Sequence, residues 1–480
     1  MKSAIVVSLC AVVAAAQVSY SPCPLIGNYF PAPSRASILG AKLPAAFGTA
    51  FSDLVQHSGH PVYGPISANT TSFSVIYFSG DADNKSQGSS PVLFEYHHTS
   101  AYDAARNVSA VTADTKFPLA EVTMVMTVYA WLATMGDRWD EPITKYFSEL
   151  DAGHNGDLGI PWSDITVGTL AGHMSGLPRL YTNVTAAKIC TIGAACEAKE
   201  LFGGLDAQGP TFLPDSSPIV SYAAFQVLAL AIERSNKIAN RSFASIMKER
   251  VLAPLSMNST SFLDKNSCSV RGLTMTKHGE QAALSLVSST HDLALAGRAM
   301  LSATLASPAA TRRWLHRSTD TSNLRNGAGL PWEVYRVGSE PISPVVDALT
   351  KTGTLGPPSG GSVVLGLTDA SSPGLEIKSW TAGDGGNQNV KEMVAVAAGI
   401  ASSSLDYRLY PTNVRNSTRQ QFVAVLQDKS APVDAGTPTC ITWQDVGALE
   451  DVPYRFLIEM GHDGTAISVS VQNGETYARS

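Results

Sequence analysis

Few residues in this chain carry chemistry, and their spacing decides which of them could act together. Ser245-Ile246-Met247-Lys248 spells Ser-x-x-Lys, which on a helix sets a hydroxyl one turn from an amine, a nucleophile beside its base. A two-letter pattern also arises by chance in a serine-rich chain. This one lies in a predicted mid-chain helix just ahead of residues 251–257 (VLAPLSM), and is read as ordinary helix. His173 has a reading as a base, but a histidine hydrogen-bonded in a helix–loop junction is the preferred one, and Ser175 beside it matches a packing motif. His97-His98 falls in an apparent strand with no further ligand at metal spacing, so it reads as sheet surface. HExxH, GxGxxG and P-loop patterns are absent, and neither metal nor cofactor is expected.

Composition narrows the compartment and the partners. At 480 residues and 44% apolar, the chain fills a sizeable core in two or three units. Charged residues are only 15%, Lys+Arg 34 against Asp+Glu 40 leaves −6, and the lack of any polybasic run argues against a nucleic-acid partner. Lys2 followed by the apolar run 4–16, with small residues at Ala14 and Ala16, predicts a secretory signal at residues 1–16 and export of the rest. A run of thirteen residues is too short to span a bilayer, and no later run predicts a membrane span. Seven N-x-[ST] sequons, at Asn69, Asn84, Asn107, Asn183, Asn240, Asn258 and Asn416, suit a glycosylated surface. Of six cysteines, Cys10 leaves with the signal. Cys190 and Cys196 are expected to pair across five residues. Cys23, Cys268 and Cys440 then leave an odd count, so at least one thiol is free or pairs between chains.

The elements that must position any site read as strands around a helical insert. Residues 72–80 and 91–100, rich in β-branched and aromatic side chains and joined by a polar turn, predict a hairpin. Residues 121–135 are apolar nearly all round, as for a buried helix, and 221–234, 243–252 and 291–303 carry helical spacing. Strands return at 345–350, 362–369 and 375–383, a helix is expected at 390–401, and a hairpin at 454–472 closes the chain. The plan is α+β, an antiparallel sheet flanked by helices, with strands from both ends of the insert sharing that sheet.

Several blocks then arrive in a familiar order: residues 139–150 (WDEPITKYFSEL), 164–178 (DITVGTLAGHMSGLP), 251–257 (VLAPLSM), RWLHRSTDTSNLR and PWEVYR within 313–336, and TKTG at 350–353. Together they resemble the serine β-lactamase-related family of class C β-lactamases and penicillin-binding proteins, in particular a secreted fungal branch, over roughly residues 71–383. The resemblance implies a β-lactamase/transpeptidase-like domain at 17–405 and a small C-terminal β domain at 406–480. It also implies an active site of three motifs. A Ser-x-x-Lys at the start of a buried helix holds nucleophile and base, a Tyr-x-Asn loop holds a second proton carrier, and a Lys-Thr-Gly strand binds the substrate carboxylate and shapes an oxyanion hole.

This sequence departs from that pattern. Glu121 stands in the serine position and Met124 in the lysine position. Val220 replaces the tyrosine and Tyr222 the asparagine, and only Lys351-Thr352-Gly353 matches, with Thr354 implied as a second oxyanion-hole donor beside Glu121. Methionine cannot take a proton. In another serine hydrolase the loss of nucleophile or base costs roughly 10⁶-fold, about 8 kcal/mol of barrier. The resemblance therefore implies a pocket of Glu121, Tyr222, Lys351, Thr352, Gly353 and Thr354 without serine acylation. An unpaired buried carboxylate is costly, so Glu121 is expected to meet Lys351 in a salt bridge or through a water, the alternative being a first-turn acid turned out to solvent.

Three functions fit. The first is a secreted pseudoenzyme that holds a small molecule in the family cleft. The second is an acid/base enzyme of secondary metabolism (a cyclase, lyase or isomerase) using Glu121. The third is a residual hydrolase or transesterase acting through an unexpected residue.

Overall fold

The structure, a computed structural model, describes residues 42–57, 59–60, 64–65, 68–78, 92–150, 159–179, 198–235, 241–263, 269–270, 273–274, 281–321, 326–337, 346–355, 361–368, 405–413, 419–428, 455–460, 466–471 and 476–478. The signal segment, all six cysteines, the sequons at Asn84, Asn183, Asn240 and Asn416, and the expected elements at 375–383 and 390–401 lie outside the described residues.

Helix α1 (Lys42–Gln56) packs Phe51 and Leu54 against Phe73 of the first hairpin, β1 (Phe73–Phe78) and β2 (Val92–His98), where Phe94 and Tyr96 complete an aromatic cluster. The short α2 (Ala101–Ala105) follows, capped by Ser100, whose hydroxyl accepts the Asp103 N–H. Strand β3 (Phe117–Pro118) leads through a tight 3₁₀ turn, Ala120–Val122, into α3 (Thr123–Met135). Eleven of the thirteen residues of α3 are buried, as an all-round apolar sequence requires.

Helices α4 (Val167–Ala171) and α5 (Ala198–Gln208) pack on α6 (Tyr222–Arg234), which packs on α3 together with α7 (Phe243–Met247), the last continuing as a π turn over Lys248–Leu252. Strands β4 (Ser261–Phe262) and β5 (Leu286–Ser288) join β3 in a three-stranded sheet of order β3-β5-β4. After α8 (Thr290–Leu301) and α9 (Pro308–Trp314) comes an antiparallel meander: β6 (Thr319–Asp320), β7 (Asn326–Ala328), β8 (Glu333–Val337), β9 (Val346–Leu355) and β10 (Gly361–Thr368).

Strands from both ends were expected to share one sheet. Among the described residues the hairpin β1–β2 instead forms its own two-stranded sheet. It reaches the meander through side chains: Phe78 lies against Gly297 of α8, where a Cβ would overlap its ring, and Leu367 of β10 touches the same spot. The strand expected at 345–350 also runs on through Lys351-Thr352-Gly353 to Leu355, because β10 pairs it along that whole length.

The chain closes in a second five-stranded meander, β11 (Leu405–Asn413), β12 (Arg419–Asp428), β13 (Arg455–Met460), β14 (Ala466–Val471) and β15 (Thr476–Ala478). The hairpin expected at 454–472 supplies β13 and β14. Strands β11 and β12 were not expected, because Pro411 and a polar flank of Arg419, Gln420 and Gln421 obscure their alternation.

Candidate functional site

The mouth of α3 is built by backbone constraints. Phe117 and Pro118 pair with Ser288 and Val287, and the Leu119 N–H donates to the Leu286 carbonyl at 2.8 Å. The chain then turns at Ala120, whose φ of 45° lies in the left-handed region and costs an alanine about 1 kcal/mol. Thr123 secures the next turn by accepting the Leu286 N–H at 3.2 Å. Strand β9 passes so closely that a Cβ on Gly353 would overlap the Leu119 carbonyl oxygen and stand 3.1 Å from the Glu121 nitrogen. Only glycine allows that approach.

Glu121 leaves this turn inward and is 8% exposed. Its Oε1 accepts a hydrogen bond from the Tyr222 hydroxyl at 2.6 Å and lies 3.7 Å from Nη2 of Arg179. That same Nη2 donates to the Tyr222 hydroxyl at 2.8 Å, and the guanidinium carbon sits 5.0 Å from the centre of the tyrosine ring. Tyr222 is placed by the start of α6. Ser221 caps the helix by accepting the Ala224 N–H at 3.1 Å, its hydroxyl donates to the Pro178 carbonyl at 2.7 Å, and the Tyr222 N–H donates to the Arg179 carbonyl at 2.9 Å. Burial, then the neighbouring carboxylate, push the Tyr222 phenol far above its ordinary value against the opposing pull of Arg179. It stays a proton donor.

Lys351, 1% exposed, belongs to a separate pair. Its Nζ donates to Oε1 of Glu333 at 2.9 Å, and the Thr352 N–H donates to Oε2 of the same carboxylate at 3.1 Å. Two carboxylate–cation pairs therefore stand side by side, Glu121–Arg179 and Glu333–Lys351. Glu333 is the first residue of β8, opposite Thr350 of β9, and its carboxylate folds back along β9 to take both the Thr352 N–H and the Lys351 ammonium. Neither Arg179 nor Glu333 was among the residues expected at the site. Arg179 follows a family-like block by one residue, and Glu333 sits inside another as a lone acid among Trp332, Val334 and Tyr335, the one signal that could have found it.

The other singled-out residues fall as follows. Met124 is buried in the core, and so is Val220 just before α6. Thr352 is half-buried, Gly353 is buried, and Thr354 pairs with Ser362 of β10. His173 is buried at the end of α4 with Nε2 against the Pro331 carbonyl at 3.2 Å, the junction role expected of it. Burial first, then Lys351, hold its imidazole well below the ordinary histidine range, with Arg179 adding to the effect. Ser175 is buried and accepts the Leu177 N–H at 3.4 Å. Ser245 exchanges hydrogen bonds with the helix cap Ser242, while Lys248 is exposed, which makes that Ser-x-x-Lys a helix surface. His97 and His98 face opposite sides of β2: His97 Nδ1 meets Ser74 Oγ at 2.8 Å, and His98 Nε2 meets the Ala68 carbonyl at 2.8 Å. The described residues contain no cluster of three or more metal-ligating side chains and no helix long and apolar enough to cross a membrane.

The chemistry open to this arrangement is limited. Glu121 faces Arg179 and Glu333 faces Lys351, so the four charges cancel in pairs. The hydroxyl beside Glu121 is a phenol with a raised pKa, which donates a proton and does not attack.

Comparison with known proteins finds two family models and several relatives. A family model described as "Beta-lactamase" matches residues 86–403, and one described as "Beta-lactamase-like-like, C-terminal domain" matches 352–476. A "Beta-lactamase-like protein" of the fungus Arthroderma benhamiae is 27% identical over 320 residues, 59% of this chain, and the match spans only 51% of that relative's length. Among solved structures, SurE with D-Leu is 16% identical at a TM-score of 0.49, over 91% of this chain and 99% of that one. A penicillin binding protein of Bacillus halodurans is 12% identical at a TM-score of 0.46, over 68% and 95%. With its family model spanning the buried helix, the helical insert and the meander, the chain belongs to the β-lactamase family.

Proposed function

We propose that this protein is a secreted β-lactamase-family member that has lost serine acylation and keeps its cleft as a binding scaffold. One observation carries the reading: the mouth of α3 holds Glu121 buried against Tyr222 and Arg179, with Met124 in the core. A nucleophile there would need a hydroxyl and a base within hydrogen-bond reach. Those positions hold a carboxylate and a thioether instead. Export rests on the residue 1–16 signal pattern, and the described sequon asparagines Asn69, Asn107 and Asn258 are all exposed.

The Tyr222–Glu121 contact also favours a second reading, in which Glu121 is a general base and Tyr222 its acid. In that reading both groups are already partnered, since Arg179 Nη2 lies 3.7 Å from the Glu121 oxygen and donates to the Tyr222 hydroxyl at 2.8 Å.

Restoration tests the first reading. Glu121→Ser, Met124→Lys, Val220→Tyr and Tyr222→Asn are combined and assayed on p-nitrophenyl esters, while the wild-type chain is exposed to a fluorophosphonate and a fluorescent penicillin. The expected results are turnover by the restored variant and no covalent label on the wild type. A labelled wild-type serine would overturn the proposal. A metabolite turned over by wild type but not by Glu121→Gln would establish the second reading in its place.

A further inference from the structure

Tyr102 is the only large hydrophobic side chain among the described residues that is strongly exposed, at 52%. It is the second residue of α2, and a helical side chain leans toward the helix N-terminus. At that end its own N–H donates to the Asn69 carbonyl at 2.9 Å, which ties the 68–70 turn to the start of the helix. Arg106, one turn on, bonds the Tyr102 hydroxyl and lays its guanidinium 4.9 Å from the ring centre. The ring is thereby held in place with one face covered by the cation. Asn69 is exposed and opens the sequon Asn69-Thr70-Thr71.

We propose that Asn69 carries an N-linked glycan whose first sugar packs on the Tyr102 ring. A pyranose offers a face of C–H groups with slight positive charge, and the aromatic face is the negative side of its quadrupole. The ring therefore suits a neutral sugar attached one backbone hydrogen bond away. In the attachment a lipid-diphosphate-linked oligosaccharide is the donor. The Asn69 Nδ2 forms the bond to sugar C1 and loses one proton, while the C1–O bond breaks and the lipid diphosphate leaves with the electron pair. The inference rests on the export proposed above.

The test uses the full chain made in a eukaryotic secretory host, with peptide mass spectrometry at Asn69, Asn107 and Asn258 and thermal unfolding before and after enzymatic deglycosylation. Asn69 is expected to be occupied. Tyr102→Ala is expected to lower the Tm of the glycosylated form by about 2 °C more than that of the deglycosylated form, a difference that Asn69→Gln abolishes. An unmodified Asn69 beside occupied Asn107 or Asn258 would overturn the inference and leave export standing. No occupied sequon and no secreted protein would overturn both. An occupied Asn69 with equal effects of Tyr102→Ala in the two forms would overturn the packing.

Discussion

Replacing Glu121 with alanine removes the carboxylate that Tyr222 and Arg179 share, and leaves both donors facing a small void. The hydrogen bond from Tyr222, at 2.6 Å to a charged acceptor, is of the kind worth about 1.5–3 kcal/mol. Stranding a fully buried cation costs about 3–5 kcal/mol. Arg179 keeps 14% side-chain exposure and its ion pair spans 3.7 Å, so its share is discounted to the lower part of that range. A loss of about 2–4 kcal/mol follows for Glu121→Ala. Glu121→Gln, which keeps an oxygen acceptor for Tyr222, loses about half as much. A small carboxylate from solution should re-enter the void. Acetate at about 0.1 M with a Kd near 10 mM restores about 1.4 kcal/mol, or roughly 2–4 °C in Tm. The assay is thermal and denaturant unfolding of wild type and Glu121→Ala with acetate, against chloride at equal ionic strength. A Glu121→Ala chain as stable as wild type, or acetate rescue equal in both proteins, would refute the reasoning. Either result would mean that Glu121 is solvated and not clamped.

Other perturbations probe the same framework. Gly353→Ala forces a Cβ into the Leu119 carbonyl and should cost about 3 kcal/mol or more by denaturant unfolding, whereas Gly366→Ala, with its nearest neighbour 3.9 Å away, should stay within about 1 kcal/mol. Ala120→Gly relieves the left-handed strain at the cost of unfolded-state entropy and a methyl, so stability should change by less than about 1 kcal/mol, while Ala120→Val should lose at least about 2 kcal/mol. His173 is held neutral when folded but takes up a proton near 6.5 when unfolded, so acidification favours the unfolded chain. Each pH unit below 6.5 should cost up to about 1.4 kcal/mol. His173→Asn, which tolerates the φ of 64°, should flatten that slope in equilibrium unfolding from pH 7 to 5.

The sequence alone determined much of the local structure and which residue types stand at the α3 mouth. The run 121–135 has no polar face, so it could only be a buried helix, and it is one with Met124 in the core. The alternating segments at 72–80 and 91–100 could only pair, and they do, from Phe73 opposite His98 to Phe78 opposite Val92. Residue types need no coordinates: a thioether is no base and a carboxylate is no alcohol wherever they lie. What only the tertiary structure decided is partnership. Arg179 stands beside Glu121 by nothing legible in the spacing. That partnership turned on Ser221 strapping residues 178–179 to the start of α6, and on the Glu333 carboxylate folding back from the start of β8 along β9 to Lys351. Periodicity records which face of an element is apolar, but it does not record which long-range neighbour lies across from that face. A buried charge is paired by such a neighbour, 58 residues from Glu121 to Arg179 and 18 from Glu333 to Lys351, and only the folded chain brings them within a few ångströms.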